Sequence, residues 1–155
     1  MPRIEFNTDT GLPPDRVLAA AANFTDRRPD LWPNVSRRYY KVHELGDGWA
    51  VATEGSDFMG GIWARERYEW STPGVVRATV LDSNVLASGT WELRAEPNGQ
   101  GGSRIHIVND RKAKGKGRIA AVMMSLIGKK MLTGHLKKTL AILEREPESG
   151  STTTE

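Results

Sequence analysis

Apolar and polar residues alternate with a period of two over the middle of the chain, and a helical period appears in a long C-terminal segment. Residues 116–146 contain no proline and are numerous enough for a helix of about eight turns. Residues 36–111 instead form short alternating runs that are separated by turn residues. A sheet that is followed by one long helix has to bury its apolar face against that helix. We therefore expect the sheet to curl around the helix and to leave an internal cavity.

A strand and two short helices are predicted before the main part of the sheet. Residues 3–7 alternate between apolar and polar types, and Pro13 and Pro14 then open an alanine-rich helix that ends at Phe24. A second short helix ends at Trp32, because Pro33 follows it. The six later strands are predicted at residues 36–45, 49–54, 62–70, 75–81, 88–96 and 103–110. Their connections have hairpin length, so the predicted fold class is α+β, with a seven-stranded antiparallel curved sheet and the element order β-α-α-β6-α.

The composition is that of a globular chain, and it excludes several kinds of chemistry. The sequence has 155 residues and no cysteine, which excludes disulfides, thiolate catalysis and cysteine-based zinc sites. Residues 1–146 are expected to form a single domain, and the polar residues 147–155 a disordered tail. No segment has the length and apolar character of a signal peptide or a membrane-spanning helix, so we expect a cytoplasmic protein.

Charged residues are distributed unevenly along the chain. Residues 111–138 contain nine Lys or Arg and no Asp or Glu, whereas the rest of the chain has 13 basic and 19 acidic residues. Such a local excess indicates a surface that faces an anion, and the alternative is a solvated helix face with a lysine-rich connector. Nucleic-acid binding is not expected, because the basic segment 111–118 has no interleaved aromatic residues.

The alternation within the strands indicates which side chains face the cavity. In the third of the six later strands the more apolar set contains Ala64, Glu66 and Tyr68, which would place a carboxylate in an apolar enclosure. Such a carboxylate must pair with a cation or become neutral. Two interpretations of Glu66 remain open. It is an acid, base or hydrogen-bonding anchor for a ligand, or it forms an ion pair with Arg65 or Arg67 near the rim.

The following strands are assigned to inward and outward faces by the same parity. The inward sets are Val76, Ala78 and Val80, then Gly89, Trp91, Leu93 and Ala95, and finally Ile105, Ile107 and Asn109. Together with Glu66 and Tyr68, Asn109 is the polar residue expected to reach the cavity. For Tyr68 and the tryptophans, ordinary packing in the core is the alternative interpretation.

The apolar line of the long helix is interrupted in the middle. Its members are Val122, Leu126, Leu136, Leu140 and Leu143, and the positions that would complete it are Lys129 and Thr133. A polar interruption of this kind is what a partly hollow core would allow, and the alternative is that Lys129 extends its ammonium group to solvent. Gly128 and Gly134 flank the interruption and either permit close approach of a neighbour or leave space for a ligand.

A second apolar set lies on roughly the opposite side of the same helix. Its members are Met124, Ile127 and Met131. Methionine side chains suit adaptable contacts, so this set is interpreted either as a dimer interface or as a mobile gate beside the cavity. The remaining alternative is that the set packs beneath the loops between the strands.

The sequence contains no catalytic or cofactor-binding motif. His43, His106 and His135 fall on three separate elements without acidic partners at ligand spacing, so we predict no metal site and no cofactor. A nucleophile elbow, a phosphate-binding loop and a paired-carboxylate motif are all missing from the sequence. The signal for an enzyme is therefore weak.

Four short segments carry a resemblance to a known superfamily. Residues 13–17 (PPDRV) open the first helix, residues 29–33 (PDLWP) close the second, and residues 89–93 (GTWEL) and 103–107 (SRIHI) flank a glycine-rich turn. With these segments, residues 3–145 resemble the START and birch-pollen-allergen-like (SRPBCC) helix-grip superfamily, and within it the polyketide cyclase/dehydrase-like branch. None of the segments is a catalytic signature. The resemblance implies a hydrophobic small molecule, such as a lipid, polyketide or isoprenoid, held between the sheet and the C-terminal helix.

Three functions follow as expectations. The first is the binding or carriage of a hydrophobic small molecule by Trp32, Ala64, Glu66, Tyr68, Val80, Trp91, Ile107, Asn109, Met123, Leu126, Lys129 and Thr133. The second is a metal-free enzyme of the polyketide aromatase/cyclase type, in which Glu66 and Tyr68 would transfer protons. The third is a membrane-surface or protein-interaction module that contacts anionic lipid through Lys112, Lys114, Lys116 and Arg118. A monomer and a homodimer are both compatible with the sequence.

Overall fold

The computed structural model describes residues 3–146, which contain seven strands and three α-helices. Strand β1 (Ile4–Thr10) is followed by helices α1 (Pro14–Ala21) and α2 (Arg28–Leu31). The later strands are β2 (Lys41–Gly46), β3 (Trp49–Ser56), β4 (Ile62–Glu69), β5 (Val75–Ser83), β6 (Leu86–Pro97) and β7 (Ser103–Ala113). A 3-10 turn, Phe58–Gly60, precedes β4, and helix α3 (Gly117–Arg145) follows β7. The tail predicted at residues 147–155 lies outside the described residues.

All seven strands belong to one antiparallel sheet in the order β1-β7-β6-β5-β4-β3-β2. Each strand from β2 to β7 pairs with its neighbour in sequence, as the short connections predict. The chain crosses from one edge of the sheet to the other through α1 and α2, since β1 and β2 lie at opposite edges. The predicted seven-stranded antiparallel sheet with a long C-terminal helix is confirmed.

The helices cover the sheet and bury its apolar face. Helix α1 packs on β5 and β6, helix α3 packs on β1 and β7, and α2 contacts α3. The main core contains Val17 and Ala21 of α1, Val76, Leu93, Ile105 and Ile107 of the sheet, and Leu136, Leu140 and Leu143 of α3. A second cluster around Phe24 contains Ala50, Ala52, Tyr68 and Ala78. In α3, the buried leucines all lie in the C-terminal half of the helix.

Some boundaries differ from those that the sequence predicts. Strand β2 begins only at Lys41, because the amides of Tyr39 and Tyr40 both donate to the carbonyl oxygen of Ser36 and form a turn. Strand β7 continues to Ala113, which pairs with Leu86 of β6, so part of the basic segment is strand and not connector. None of the helices in residues 3–146 is long and apolar enough to cross a membrane.

Gly89 allows β6 to pass close to β7. Its φ of +132° is in the region that favours glycine, and a Cβ atom there would collide with the backbone of Asp110 and Arg111. The ladder between β6 and β7 shifts register just before this point, between Leu86 and Ser88. The glycine therefore determines how the β7 segment that carries Arg111 lies against β6.

Candidate functional site

A chamber lies between the inner face of the sheet and the helices α2 and α3. It has two adjoining compartments, with volumes of about 120 Å³ and about 410 Å³. Residues that line both are Asn34, Val35, Glu54, Glu66, Tyr68, Arg111, Leu132 and His135. The smaller, inner compartment is also lined by Phe6, Arg28, Trp32, Trp91, Ile107 and Leu136. The outer one includes the exposed Phe58 and Met131 in its lining, and we call this side the mouth.

A buried arginine joins the helices to the sheet beside the inner compartment. The side chain of Arg28 is buried, with 3% of the residue exposed. Its Nε donates to Oε1 of Glu54 at 2.6 Å. Its Nη1 donates to the carbonyl oxygens of Ala21 at 2.9 Å and Asn23 at 3.0 Å. The guanidinium also lies 4.2 Å from the centroid of the Phe24 ring. These partners replace the water that the cation loses on burial.

Tyr68 extends this arrangement to the next strand. Its hydroxyl donates to Oε1 of Glu54 at 2.8 Å, and its ring lies 4.7 Å from that of Phe24, measured between centroids. Burial raises the pKa of Tyr68 well above its usual value, and the charges of Glu54 and Glu66 raise it further. Tyr68 is therefore protonated at neutral pH, and Glu54 receives its hydrogen bond.

A second ion pair joins the buried Glu66 of β4 to the half-buried Arg111 of β7. Strands β5 and β6 lie between these two strands in the sheet. In a flat sheet β4 and β7 would be about 14 Å apart, since each strand step is about 4.8 Å. The side chains of Glu66 and Arg111 meet because the sheet curls toward its inner face. The pair therefore spans the concave side of the sheet at the chamber.

The alternative in which Glu66 pairs with Arg65 or Arg67 is wrong, because its partner is Arg111, and a role of Glu66 as an acid, base or ligand anchor stays a prediction. Arg67 lies on the outer face, where its Nε donates to Glu69 at 2.8 Å. Arg65 is exposed. Both neighbours of Glu66 point away from the chamber because successive side chains in a strand alternate between faces. A cationic partner for the inward carboxylate therefore has to come from another element that faces the chamber.

Three buried polar atoms in residues 3–146 have no hydrogen-bond partner in the protein: Nε of Arg111, Nδ1 of His135 and Oδ1 of Asn109. Arg111 and His135 line both compartments of the chamber, whereas Asn109 lines neither. A buried polar group without a partner is destabilising, and in native proteins such groups are uncommon. The lining of both compartments therefore includes two polar side chains, Arg111 and His135, each with a buried nitrogen whose hydrogen-bonding capacity the protein does not use.

His135 is uncharged at neutral pH. Burial lowers its pKa below the usual value of 6.5, and the positive charge of Lys138 lowers it further. A neutral imidazole can accept a proton or a hydrogen bond at one ring nitrogen. Within residues 3–146, no three His, Asp or Glu side chains lie close enough together to hold a metal ion.

Six of the residues expected at the ligand site do lie in the lining of the chamber: Trp32, Ala64, Glu66, Tyr68, Trp91 and Ile107. Val80 and Asn109 do not. Val80 pairs with Glu66 in the ladder and is half-buried, and Asn109 is buried among the strands. Their ladder partners, Glu66 and Trp91, line the chamber, so both lie on the inner side of the sheet as their parity predicts, but neither is part of the lining.

The predicted orientation of α3 is wrong in its N-terminal half. Leu126, expected in the buried line, is 81% exposed, and Met123 is also exposed. Lys129 and Thr133 lie in a groove on the outside, between α3 and β1, and not in the chamber. The inward residues are Met124, Gly128, Leu132 and His135. Gly128 lies against Ile4, where a Cβ atom would be 2.7 Å from the Ile4 Cδ1 atom.

The second apolar set of the helix is divided between different surroundings. Met124 is partly buried and packs against the core, Ile127 is exposed, and Met131 lines the mouth. The structure therefore does not present these three residues as one surface. A gating movement of Met131 stays a prediction.

Four ionisable residues of the chamber lining are not predicted from the sequence: Arg28, Glu54, Arg111 and His135. The two on strands, Arg111 and Glu54, have a signal in the sequence. Arg111 shares parity with Ile105 and Ile107 on β7, and Glu54 shares parity with Ala50 and Ala52 on β3. His135 lies one helical turn from Leu132 and Thr139, and Arg28 had no periodic signal, because α2 has only four residues.

No protein-family model and no curated protein matches the sequence. Solved structures do match. The Zhui aromatase/cyclase from Streptomyces sp. R1128 has a TM-score of 0.80 and 16% identity, covering 97% of this chain and 98% of its own. For a START superfamily protein from Mycobacterium smegmatis the TM-score is 0.73 at 12% identity, covering 92% and 97%. Norcoclaurine synthase from Thalictrum flavum, solved with dopamine and hydroxybenzaldehyde, has a TM-score of 0.66 and 11% identity, covering 95% of this chain and 89% of its own.

These likenesses extend over nearly the whole described chain. The protein therefore has the helix-grip fold of the START and birch-pollen-allergen-like (SRPBCC) proteins, and the predicted fold is confirmed. The TM-scores of 0.66 to 0.80 establish the fold. Because the identities are only 11% to 16%, the function has to be argued from the residues of the site.

Removing one member of the Glu66–Arg111 ion pair should destabilise the protein more than removing both. Glu66→Gln or Arg111→Met leaves the other charge in the chamber without a counter-ion, and each should lower the free energy of unfolding by about 2–4 kcal/mol. The double variant should lose much less than the sum, since both charges are gone. Urea unfolding of the four proteins measures the coupling. The exposed pair of Arg38 and Asp57 is the control, with an expected coupling below about 1 kcal/mol. An equally small coupling for both pairs would contradict the structural role of the buried pair.

His135 should make the protein less stable as the pH falls. Below about pH 6.5 the unfolded chain binds a proton at this histidine before the folded chain does, so the free energy of unfolding decreases. In His135→Gln and His135→Leu, the decrease between about pH 7.5 and pH 5.5 should be smaller than in the unmodified protein. Denaturant unfolding over that range measures it, and identical pH slopes for all three proteins would exclude the effect.

Proposed function

We propose that the chamber binds a small, electrically neutral molecule with an apolar, ring-containing body and an oxygen-bearing polar end. The observation that carries this proposal is the pairing of apolar walls with two buried polar atoms, Arg111 Nε and His135 Nδ1, that lack partners in the protein. Ligand sites in proteins have this composition, mostly apolar with a few polar groups that fix orientation. An oxygen of the ligand would bond to Arg111 or His135.

The charges in the chamber favour a neutral ligand. Two cations, Arg28 and Arg111, are already paired with two anions, Glu54 and Glu66. A ligand with a carboxylate or an ammonium group would add a charge without a counter-ion in a largely apolar enclosure, which is unfavourable. A carbonyl or hydroxyl oxygen adds no charge and can still accept or share a hydrogen bond.

The walls favour a molecule with rings. Trp32 and Trp91 meet edge to face with their centroids 6.3 Å apart, and Tyr68 completes an aromatic surface around the inner compartment. The outer compartment of about 410 Å³ is in the size range of small-molecule sites, about 300–1,000 Å³. Among the lipid, polyketide and isoprenoid types, an oxygenated polyketide or isoprenoid fits this arrangement best, because a plain acyl chain offers no partner to the polar end.

We assign the chain to binding or carriage of this molecule and not to its turnover. The hydroxyl of Tyr68 is engaged by Glu54, and the carboxylate of Glu66 is engaged by Arg111. Side chains held in this way orient a ligand and restrict the shape of the chamber. They have no free proton to exchange until one of these contacts breaks.

A larger side chain in the chamber should weaken the binding of a neutral polycyclic probe. We expect the fluorescent dye Nile red, which is uncharged and carries ring oxygens, to bind the purified protein and to lose at least about tenfold in affinity in Leu132→Trp. Leu132 lines both compartments.

The matched control is Leu126→Trp, the same substitution on the same helix at an exposed position, which should bind Nile red as the unmodified protein does. Circular dichroism of both variants verifies the fold. Equal binding by Leu132→Trp and the unmodified protein would place the dye, and the proposed site, outside the chamber.

A second candidate function is an enzyme of the aromatase/cyclase type. One observation favours it, since an uncharged His135 with a free ring nitrogen lies in the same lining as Glu66 and Tyr68. Two of the similar structures are an aromatase/cyclase and norcoclaurine synthase. In this reading His135 removes a proton from carbon beside a ketone, and Arg111 stabilises the resulting oxyanion.

Turnover of a short poly-β-ketone thioester separates the two candidates. If the chain is an enzyme, mass spectrometry should detect a cyclised product with one water fewer, at a rate that falls at least about a hundredfold in His135→Gln and in Glu66→Gln. Lys137→Gln, at an exposed position on the same helix and outside the chamber lining, should keep the rate within about twofold. No product above the uncatalysed reaction would leave binding as the function of the chamber.

A further inference from the structure

The N-terminal half of α3 carries a continuous apolar surface on the side away from the sheet. We call it the outer face of α3, and its residues are Ile119, Val122, Met123, Leu126 and Ile127. They occupy positions i, i+3, i+4, i+7 and i+8 of the helix, so they lie on one side of it. Their exposed fractions run from 44% to 81%. They are five of the nine large hydrophobic side chains exposed in the described chain, which makes this patch a candidate interaction surface.

Basic residues precede and follow this face along the chain. Lys112, Lys114, Lys116 and Arg118 precede or begin the helix, and Lys129 and Lys130 follow Leu126 within one turn. All six are exposed. No Asp or Glu occurs between Arg111 and Leu143 in the sequence, so none in this stretch neutralises them.

We propose that the outer face of α3 docks on an anionic lipid surface. A helix with an apolar face bordered by lysine and arginine lies in the plane of the membrane interface, with its apolar side chains among the acyl chains and its cations at the headgroups. Each lysine near an anionic leaflet adds to this attraction. The inference does not depend on what the chamber binds.

The charge distribution argues against a second copy of the chain as the occupant. Two copies that met through the outer face of α3 would bring two sets of six cations together without intervening carboxylates from residues 111–143. A protein partner with an acidic groove is the other alternative. The face is convex and aliphatic and has no Trp, Tyr or Arg among its five residues, whereas protein interfaces commonly rely on such residues as anchors. A fluid lipid surface adapts to a convex face.

The outer face continues toward the mouth of the chamber. Ile127 is followed one turn later by Met131, which lines the mouth with Phe58. Lys116 ties the start of α3 to this region, since its Nζ donates to the carbonyl oxygens of Met59 and Gly61. Docking would therefore bring the mouth close to the lipid. This consequence, transfer of an apolar ligand between membrane and chamber, rests on the proposed function.

Vesicle flotation of the full chain tests the docking. We expect binding to vesicles of phosphatidylcholine with phosphatidylglycerol, much weaker binding to phosphatidylcholine alone, and weakening as salt is raised. Leu126→Glu should reduce binding at least about tenfold, because an apolar side chain is replaced by an anion. Lys114→Glu should reduce it about fivefold or more.

The matched controls are on β2, at the edge of the sheet. Leu45→Glu and Lys41→Glu make the same exchanges at exposed positions and should bind vesicles within about twofold of the unmodified protein, apart from the small change in net charge. Nile red binding without lipid should be unchanged in Leu126→Glu, so failure of docking and failure of the proposed ligand site are separate results.

Two results would overturn the proposal. One is vesicle binding that is equal for both lipid compositions or unaffected by Leu126→Glu. The other is an absence of vesicle binding. If, in addition, light scattering shows a dimer that Leu126→Glu converts to a monomer, a second copy of the chain is the occupant of this face.

Discussion

The structure depends on how charge is accommodated inside an apolar enclosure. Arg28 is almost fully buried, and a guanidinium in that position is tolerable only when its donors are satisfied. Its contacts reach the carbonyl oxygens that end α1 and the carboxylate of Glu54 on β3. Tyr68 brings β4 into the same network through Glu54. One cation thus fixes the two short helices relative to two strands, and the wall of the chamber follows from that arrangement.

The pair of Glu66 and Arg111 has the corresponding role at the other side of the chamber. It connects strands that are three steps apart in the sheet, which requires the sheet to curl. Curling creates a concave face that α3 covers well only in its C-terminal half, where Leu136, Leu140 and Leu143 are buried. The N-terminal half, residues 117–130, contributes no residue to the chamber lining and exposes large apolar side chains from Ile119 to Ile127.

The sequence predicts the direction of a side chain well in strands, which have two faces, and poorly in helix α3, where several faces are apolar. A strand has two faces, so parity correctly placed Glu66, Tyr68 and Ile107 on the inner side. Helix α3 is apolar on several sides between Ile119 and Ile127, and its pattern contains two stripes of similar strength. The pattern predicts that the stripe with Leu126 is buried, but Gly128 faces the sheet instead, because its lack of a Cβ atom allows close approach to Ile4. The pairing of Arg111 with Glu66, 45 residues apart, follows from the curvature of the sheet and could not be read from local pattern.

The central claim is that the polar inner end of the chamber receives an uncharged oxygen of an apolar ligand. A crystal structure of the protein with a neutral, oxygenated tricyclic compound such as an anthraquinone tests it directly. The account predicts rings against Trp32, Trp91 and Leu132, with a ligand oxygen about 3 Å from Arg111 Nε or His135 Nδ1. A ligand found only on the outer surface, or one whose oxygens point to the mouth while its rings cover Arg111, would contradict the account.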